Sequence, residues 1–271
     1  MMTVSITLRE FAYIDKQIVA DFLSSIQASL PLERKQAVAK KGKKLGGKVG
    51  FSFAQVEGEK GSTETETEEK SVVGDAGLFQ MLYSKLDDQS FILRKIGKNI
   101  SPKSILEVEG RIVLPALEVT LDILCDQLAP FWETLRTVNP RGWANMQMID
   151  KLRISSPLNL RIIPSVGQYE ETMKNVNIVA SLRRDMLRKP LRELADDYSV
   201  LCRVTRVLKP RERHDLFELP IELDDEKIDS LLESFRSMPP ESRVILGGDI
   251  TREDIQVKYP AIIVTPIAIY R

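Results

Sequence analysis

The densest chemical signal in the sequence is basic. Arg183, Arg184, Arg188, Lys189 and Arg192 fall within one stretch that the spacing predicts as a helix over 183–196. On such a helix Arg184, Arg188 and Arg192 stand at i, i+4 and i+8 and share one face, with Leu187, Leu191 and Leu194 opposite. Arg203, Arg206, Lys209, Arg211 and Arg213 follow on a predicted strand and a charged turn. If that strand packs beside the helix, the arginines form one anion-binding surface able to meet a phosphate backbone. The competing reading is a solvated face neutralised by Asp185, Glu193, Asp196, Asp197 and Glu212. Few aromatic residues interleave with the arginines, so stacking of single-stranded bases is not expected there.

The residues of familiar catalytic centres are scarce. His214 is the only histidine and sits in the charged run Arg211–Asp215, the setting of a solvated residue. A triad would need a serine or cysteine nucleophile beside it, and no GxSxG occurs. One histidine with two distant cysteines, Cys125 and Cys202, does not make a zinc set. Gly42, Gly47 and Lys48 take the spacing of a phosphate-binding loop, but Val49 replaces the hydroxyl residue that ligates magnesium. A predicted helix precedes and a predicted strand follows, the reverse of that motif's context. The carboxylates Asp87-Asp88, Asp196-Asp197 and Asp224-Asp225-Glu226 lie at predicted element ends, where acids cap helices. Thr251 and Asp254 have the spacing of a capping box. The expectation is no catalytic residue, no metal and no cofactor.

Composition bounds the class. Of 271 residues 43% are hydrophobic and 29% charged, enough for a real core in a globular chain. Lys plus Arg and Asp plus Glu both total 39, so any affinity for polyanions or lipid must be local. Both cysteines have apolar neighbours, as small buried hydrophobes do in a reducing compartment. The start lacks the layout of a signal peptide, and the apolar stretch 259–270 is too short for a membrane span and holds Pro260 and Pro266. A cytoplasmic location is expected.

The elements that would position these residues follow from periodicity. Strand patterns occupy 6–14, 90–96, 106–114, 158–162, 176–182, 198–208, 244–246 and 261–270. Helical patterns occupy 16–28, 75–86, 116–135, 143–152, 183–196 and 224–238, with Pro130 set to kink or end the third and Pro190 to disturb the fifth. The class is α+β, with mixed strands and amphipathic helices, arranged as one large domain or two closely packed halves. The divided form has an N-terminal α+β half over 1–138 and a C-terminal α+β half over 139–271, the boundary falling at the Asn139-Pro140-Arg141-Gly142 turn.

An unusual arm occupies 40–73. Lysines and glycines lead into Leu45, Val49, Phe51 and Phe53 at alternate positions, and from Glu57 the composition turns to Ser, Thr and Glu. One reading is a solvated hairpin; the functional reading is an arm that docks on a partner through Leu45, Val49, Phe51 and Phe53. Membrane contact is disfavoured, because anionic lipid repels the acidic half.

The Phe11-Ala-Tyr13-Ile14-Asp15 start before an amphipathic helix resembles an uncharacterised prokaryotic family of unknown function. The glycine-rich segment that turns acidic over 45–69, the strand Val200–Val204 and the ending Pro260–Tyr270 are similar to it as well. Residues 139–175 carry no part of the resemblance, and it supplies no catalytic residues. It implies a bacterial or archaeal cytoplasmic protein accessory to a larger system. Three functions remain in view. The first is a non-enzymatic interaction or regulatory module that binds a protein partner or itself. The second is a nucleic-acid or polyanion binder using Arg184, Arg188, Arg192, Arg203, Arg206, Arg211 and Arg213. The third is a metal-dependent enzyme built on acidic residues.

Overall fold

The residues from Ile105 to Val113 form the strand β3, around which the sheet closes. Its inward residues Leu106, Val108 and Ile112 are buried, while Glu109 and Arg111 face solvent, the period of two of a strand with one apolar face. The computed structural model describes residues 9–29, 74–140, 147, 151, 156–170, 176–217, 224–240 and 250–271. Within them β3 pairs antiparallel with β4 (Leu158–Pro164) on one side and with β6 (Asp197–Val207) on the other. Strand β5 (Asn177–Leu182) pairs antiparallel with β4 and parallel with β9 (Ala261–Tyr270). Strand β9 pairs antiparallel with β6, so the five strands close into a ring.

Taken in chain order as first to fifth, the ring runs first, second, third, fifth, fourth, with a parallel contact between third and fifth. That is the strand order and direction pattern of the OB-fold barrel. Leu160, Ile178, Val200, Cys202, Ile262 and Val264 join the β3 residues in its apolar interior. Register irregularities in the β6–β9 pairing, between Leu201 and Cys202 and between Val204 and Arg206, bend the two longest strands.

Gly110 allows β3 to serve both neighbours. It is paired with Pro164 of β4 and Tyr198 of β6. A Cβ at this position would lie 2.3 Å from the Ile163 carbonyl oxygen and 2.8 Å from Pro164 Cα. Only a residue without a side chain tolerates that approach.

Two short strands extend the ring: β1 (Phe11–Ile14) pairs antiparallel with the end of β9, and β2 (Ile92–Leu93) pairs parallel with the start of β3. Strand β2 is much shorter than the 90–96 pattern suggests. The chain beyond it turns, and Ile96 instead bridges Tyr169.

The connection from β3 to β4 carries α3 (Ala116–Leu128), a 3-10 turn Ala129–Phe131 and α4 (Trp132–Val138). Pro130 accounts for the interruption, since it cannot donate into the helical ladder. The connection from β6 to β9 carries β7 (Arg213–Asp215), α5 (Asp225–Arg236), a 3-10 turn Arg252–Asp254 and β8 (Gln256–Lys258), with β7 and β8 antiparallel. Helix α5 opens on Asp224, whose side chain accepts from Lys227 N, and Thr251 and Asp254 form the expected capping box.

The helix predicted over 183–196 is absent. Two 3-10 turns, Arg184–Met186 and Leu191–Leu194, stand in its place. Leu187 bridges Tyr13, Arg188 N donates to Ala12 O, and Pro190 is extended at ψ 144°. Pairing to a sheet edge and a proline therefore outweigh helix propensity here.

The chain divides into two units, Met1–Asp15 with Lys85–Arg271, and Lys16–Ser84. The barrel draws β3 from before residue 139 and its other four strands from after it. The second unit carries α1 (Lys16–Ser29) and most of α2 (Asp75–Asp88), in which Val19, Leu23, Phe79 and Leu82 are buried. The fold class is α+β. Among the described residues no helix is long and apolar enough to cross a membrane.

Candidate functional site

The alternation that sends Leu158, Leu160 and Ile162 inward sends Asn159, Arg161 and Ile163 to the outer face of β4. On β5 it sends Asn177, Val179 and Ser181 outward. The β6–β9 connection crosses these outer faces. Leu208, Leu216 and Val257 pack on Val179, Ala261 and Ile263 in an apolar cluster. Asn159 Nδ2 donates to Leu216 O at 3.0 Å and its Oδ1 accepts from Ser181 Oγ. The same connection is tied to the other long one. Ala116 N donates to Asp254 Oδ1 at 3.1 Å, and Ala116 and Leu117 pack against Ile228, Leu232, Ile250 and Ile255.

Where this cover meets the end of β4 it leaves a pocket of about 360 Å³ lined by Arg161, Asn177, Gln256, Lys258 and Tyr259, with Arg252 and Glu253. Arg161 Nη2 donates to Asn177 Oδ1 at 3.3 Å and Nη1 pairs with Glu253 at 2.9 Å. Among the described residues its buried Nε has no hydrogen-bond partner. Gln256 is 2% exposed. Its Nε2 donates to Asp215 Oδ1 at 2.7 Å, which fixes the amide orientation, and its Oε1 is buried with no partner among the described residues. An unmatched buried donor or acceptor costs on the order of 1–3 kcal/mol, so two in one pocket need a reason. Tyr259 stands 49% exposed at the pocket, and Ile163, two residues along β4 from Arg161, is 52% exposed. Lys258 Nζ is 3.9 Å from Asp225. Arg252 bonds both Asp225 and Asp229, and its hydrogen bond is the main reason the Asp225 carboxyl is held below the usual carboxylate range. The pocket thus sets polar side chains, Arg161, Asn177, Gln256 and Lys258, beside the half-exposed ring of Tyr259.

A larger, more open groove of about 760 Å³ lies beside the two 3-10 turns, lined by Arg183, Arg184, Leu187, Lys189, Leu191 and Pro157 among others. Its cations face carboxylates. Arg183 pairs with Asp185 at 2.8 Å and Lys189 with Glu10 at 2.6 Å. Arg184 pairs with Glu118 at 2.6 Å, both largely buried, and its Nε lies 3.4 Å from Ser156 O.

Of the seven candidate anion-binding residues, Arg184, Arg188 and Arg192 do not share the predicted helical stripe. Arg184 is turned to Glu118, Arg206 to Glu212 at 3.1 Å and Arg213 to Asp225 at 3.7 Å. Arg188 and Arg192 sit on separate segments either side of Pro190, Arg203 is exposed on β6, and Arg211 is exposed in a turn at φ 74°. The arm residues Leu45, Val49, Phe51 and Phe53 lie outside the described residues, as does the glycine loop at 42–49. His214 is half-buried on β7, opposite Val257, rather than solvated. Cys202 points into the barrel and its Sγ is 3.3 Å from Leu106 O; burial pushes its thiol pKa up.

Arg161 and Gln256 were not singled out by motif. The available signal was weak: a polar residue between Leu160 and Ile162, and a glutamine next to Val257 in a short strand. Their meeting depends on the barrel closing and the β6–β9 connection folding back. No curated protein and no solved structure matches the chain. A family model described as a domain of unknown function, DUF6414, matches residues 8–270. The match spans nearly the whole sequence, so the chain belongs to the DUF6414 family.

Proposed function

We propose that this chain is a non-enzymatic recognition module of the prokaryotic cytoplasm, acting through the outer face of β4 and β5. The observation that carries the reading is the pocket on that face, lined by Arg161, Asn177, Gln256, Lys258 and Tyr259. A pocket whose polar side chains are held by their neighbours suits binding, because a ligand meets them without ordering them. Asn177 and Glu253 hold Arg161, and Asp215 holds Gln256. The exposed Ile163 and Tyr259 supply apolar contact at the rim.

By analogy of fold alone, OB-fold barrels use their second and third strands and the flanking loops to bind ligands. Strands β4 and β5 are the second and third here. The arginine cluster supports the reading less well, because Arg184, Arg206 and Arg213 already face carboxylates.

The test compares the wild-type protein with Ile163→Glu and Tyr259→Ala, both at exposed positions. Each is used at low salt to retain companions from the native host, with recovered protein and nucleic acid identified by mass spectrometry and absorbance. A companion held by the wild type and lost from both folded variants is the expected result. A companion held equally by all three refutes the placement.

A further inference from the structure

A second surface, independent of the β4–β5 face, lies at the C-terminal end of β6. We propose that an extended acidic segment of a partner protein docks there as an added strand, its carboxylates meeting Lys103, Arg203 and the cations that follow them.

Strand β6 is longer than its cover. It pairs with β3 only from Asp197 to Arg203, and Val204 then exchanges backbone bonds of 2.8 Å with Lys103 and Ser104. Beyond that point Arg206 and Val207 pair with Ile263 and Ile262 of β9 on the other side. Among the described residues, Thr205–Val207 therefore have a strand along one edge only, and Thr205 and Arg206 are exposed. An open edge is a template for one more strand, because its backbone groups lack a ladder partner.

Charge selects the partner. Lys103, Arg203, Arg206, Lys209 and Arg211 are all exposed around this edge. Only Arg206 has a carboxylate partner among the described residues, Glu212 at 3.1 Å. Lys103 and Arg211 each follow a proline at positive φ, 77° and 74°, in turns closed by Ser104 N to Ser101 O and Glu212 N to Lys209 O. Type II turns favour glycine at that position, yet both hold a cation there. A second copy of the chain would bring its own arginines against these, so the same charges that admit an acidic strand exclude self-pairing. Acidic residues at alternate positions of such a strand stand about 7 Å apart on one face, a row able to meet several cations. None of residues 203–211 is aromatic, so bases find no ring to stack on. An open backbone edge rewards a polypeptide and gives nothing to a lipid head group.

The test uses the full chain and a fluorescein-labelled peptide of alternating glutamate and valine, read by fluorescence anisotropy at low salt. Binding that weakens as salt rises is expected. Lys103→Glu and Arg203→Glu should each weaken it about tenfold. Both residues are exposed, so circular dichroism should show folded variants. The same peptide N-methylated at alternate residues keeps its charge but loses ladder donors, and should also bind about tenfold more weakly. Ile163→Glu should leave peptide binding unchanged, so failure of the β4–β5 face and failure of this edge are told apart. A peptide that does not bind overturns the proposal, as does binding unaffected by Lys103→Glu and Arg203→Glu or lost on Ile163→Glu. Equal binding of the N-methylated peptide overturns the added strand. Tighter binding of a thymidine 15-mer, or of vesicles rich in phosphatidylserine, than of the peptide overturns the choice of partner.

Discussion

Replacing Gly110 by alanine should damage the barrel out of proportion to the single methyl it adds. The new Cβ would sit 2.3 Å from the Ile163 carbonyl oxygen and 2.8 Å from Pro164 Cα, so backbone rather than a flexible side chain must retreat. The retreat acts on the β3–β4 ladder where it overlaps the β3–β6 ladder, since Gly110 and Arg111 are paired on both sides. Overpacking of this kind costs about 1–3 kcal/mol. A strained or lost ladder hydrogen bond adds about 1 kcal/mol. The lower entropy of the unfolded alanine chain returns about 0.4–1 kcal/mol. The net of about 1–3 kcal/mol lowers Tm by roughly 3–10 °C for a chain of this size. Gly97→Ala is the internal comparison. The three atoms nearest its Cβ would be the carboxyl end of Glu170, which can swing aside, so a change under about 0.5 kcal/mol is expected. Differential scanning calorimetry of both variants decides the matter. A Gly110→Ala protein that melts with or above the wild type, or no lower than Gly97→Ala, would refute the shared-strand account of barrel closure.

Other consequences follow from the buried and paired groups. Arg184→Ala leaves the Glu118 carboxylate buried without that guanidinium and should cost about 3 kcal/mol in urea unfolding. The double change Glu118→Leu with Arg184→Leu should recover most of it, and a double variant as unstable as the single one would contradict the pairing. Cys202 is buried, with its thiol pKa raised by desolvation, so iodoacetamide at pH 8 should label it only after unfolding; rapid labelling of the native protein would contradict the barrel interior. Asp224, Asp225, Asp196, Glu212 and Glu10 are held below their ordinary values by hydrogen bonds from backbone N–H groups, arginines or lysine. A depressed folded pKa means stability that is present above the unfolded value and is lost as pH falls through the folded one. Tm should therefore be level from pH 5.5 to 8 and decline below about pH 4. The exposed part of that effect should shrink in 1 M salt; a Tm that rises as pH falls from 5 to 3 would reverse the sign of the account.

Most of the elements were legible in the sequence because their signals are local. The apolar alternation of β3 and β9, the Asp224-capped helix, the Thr251–Asp254 box and the break at Pro130 each depend on neighbours within a few residues. The stretch 183–196 carries a misleading local signal, because its leucines have helical spacing. What decides it is remote: Tyr13 and Ala12 pair with Leu187 and Arg188 across a long sequence separation. Ring closure was illegible for the same reason, since the parallel β5–β9 pairing joins Asn177 to Ala261 across the whole β6–β9 connection. The candidate site suffers most from this. The arginine-rich stretch stands out in sequence yet faces carboxylates in space, whereas Arg161 and Gln256 come together only once three separate strands are assembled.

The claim that recognition occurs on the β4–β5 face is tested most directly by locating a bound ligand. Amide chemical-shift changes in the isotopically labelled protein, titrated with the companion recovered from the native host, should cluster at Arg161, Ile163, Asn177 and Gln256–Tyr259. Changes centred instead on Arg183–Leu191, or spread without a centre, would contradict it.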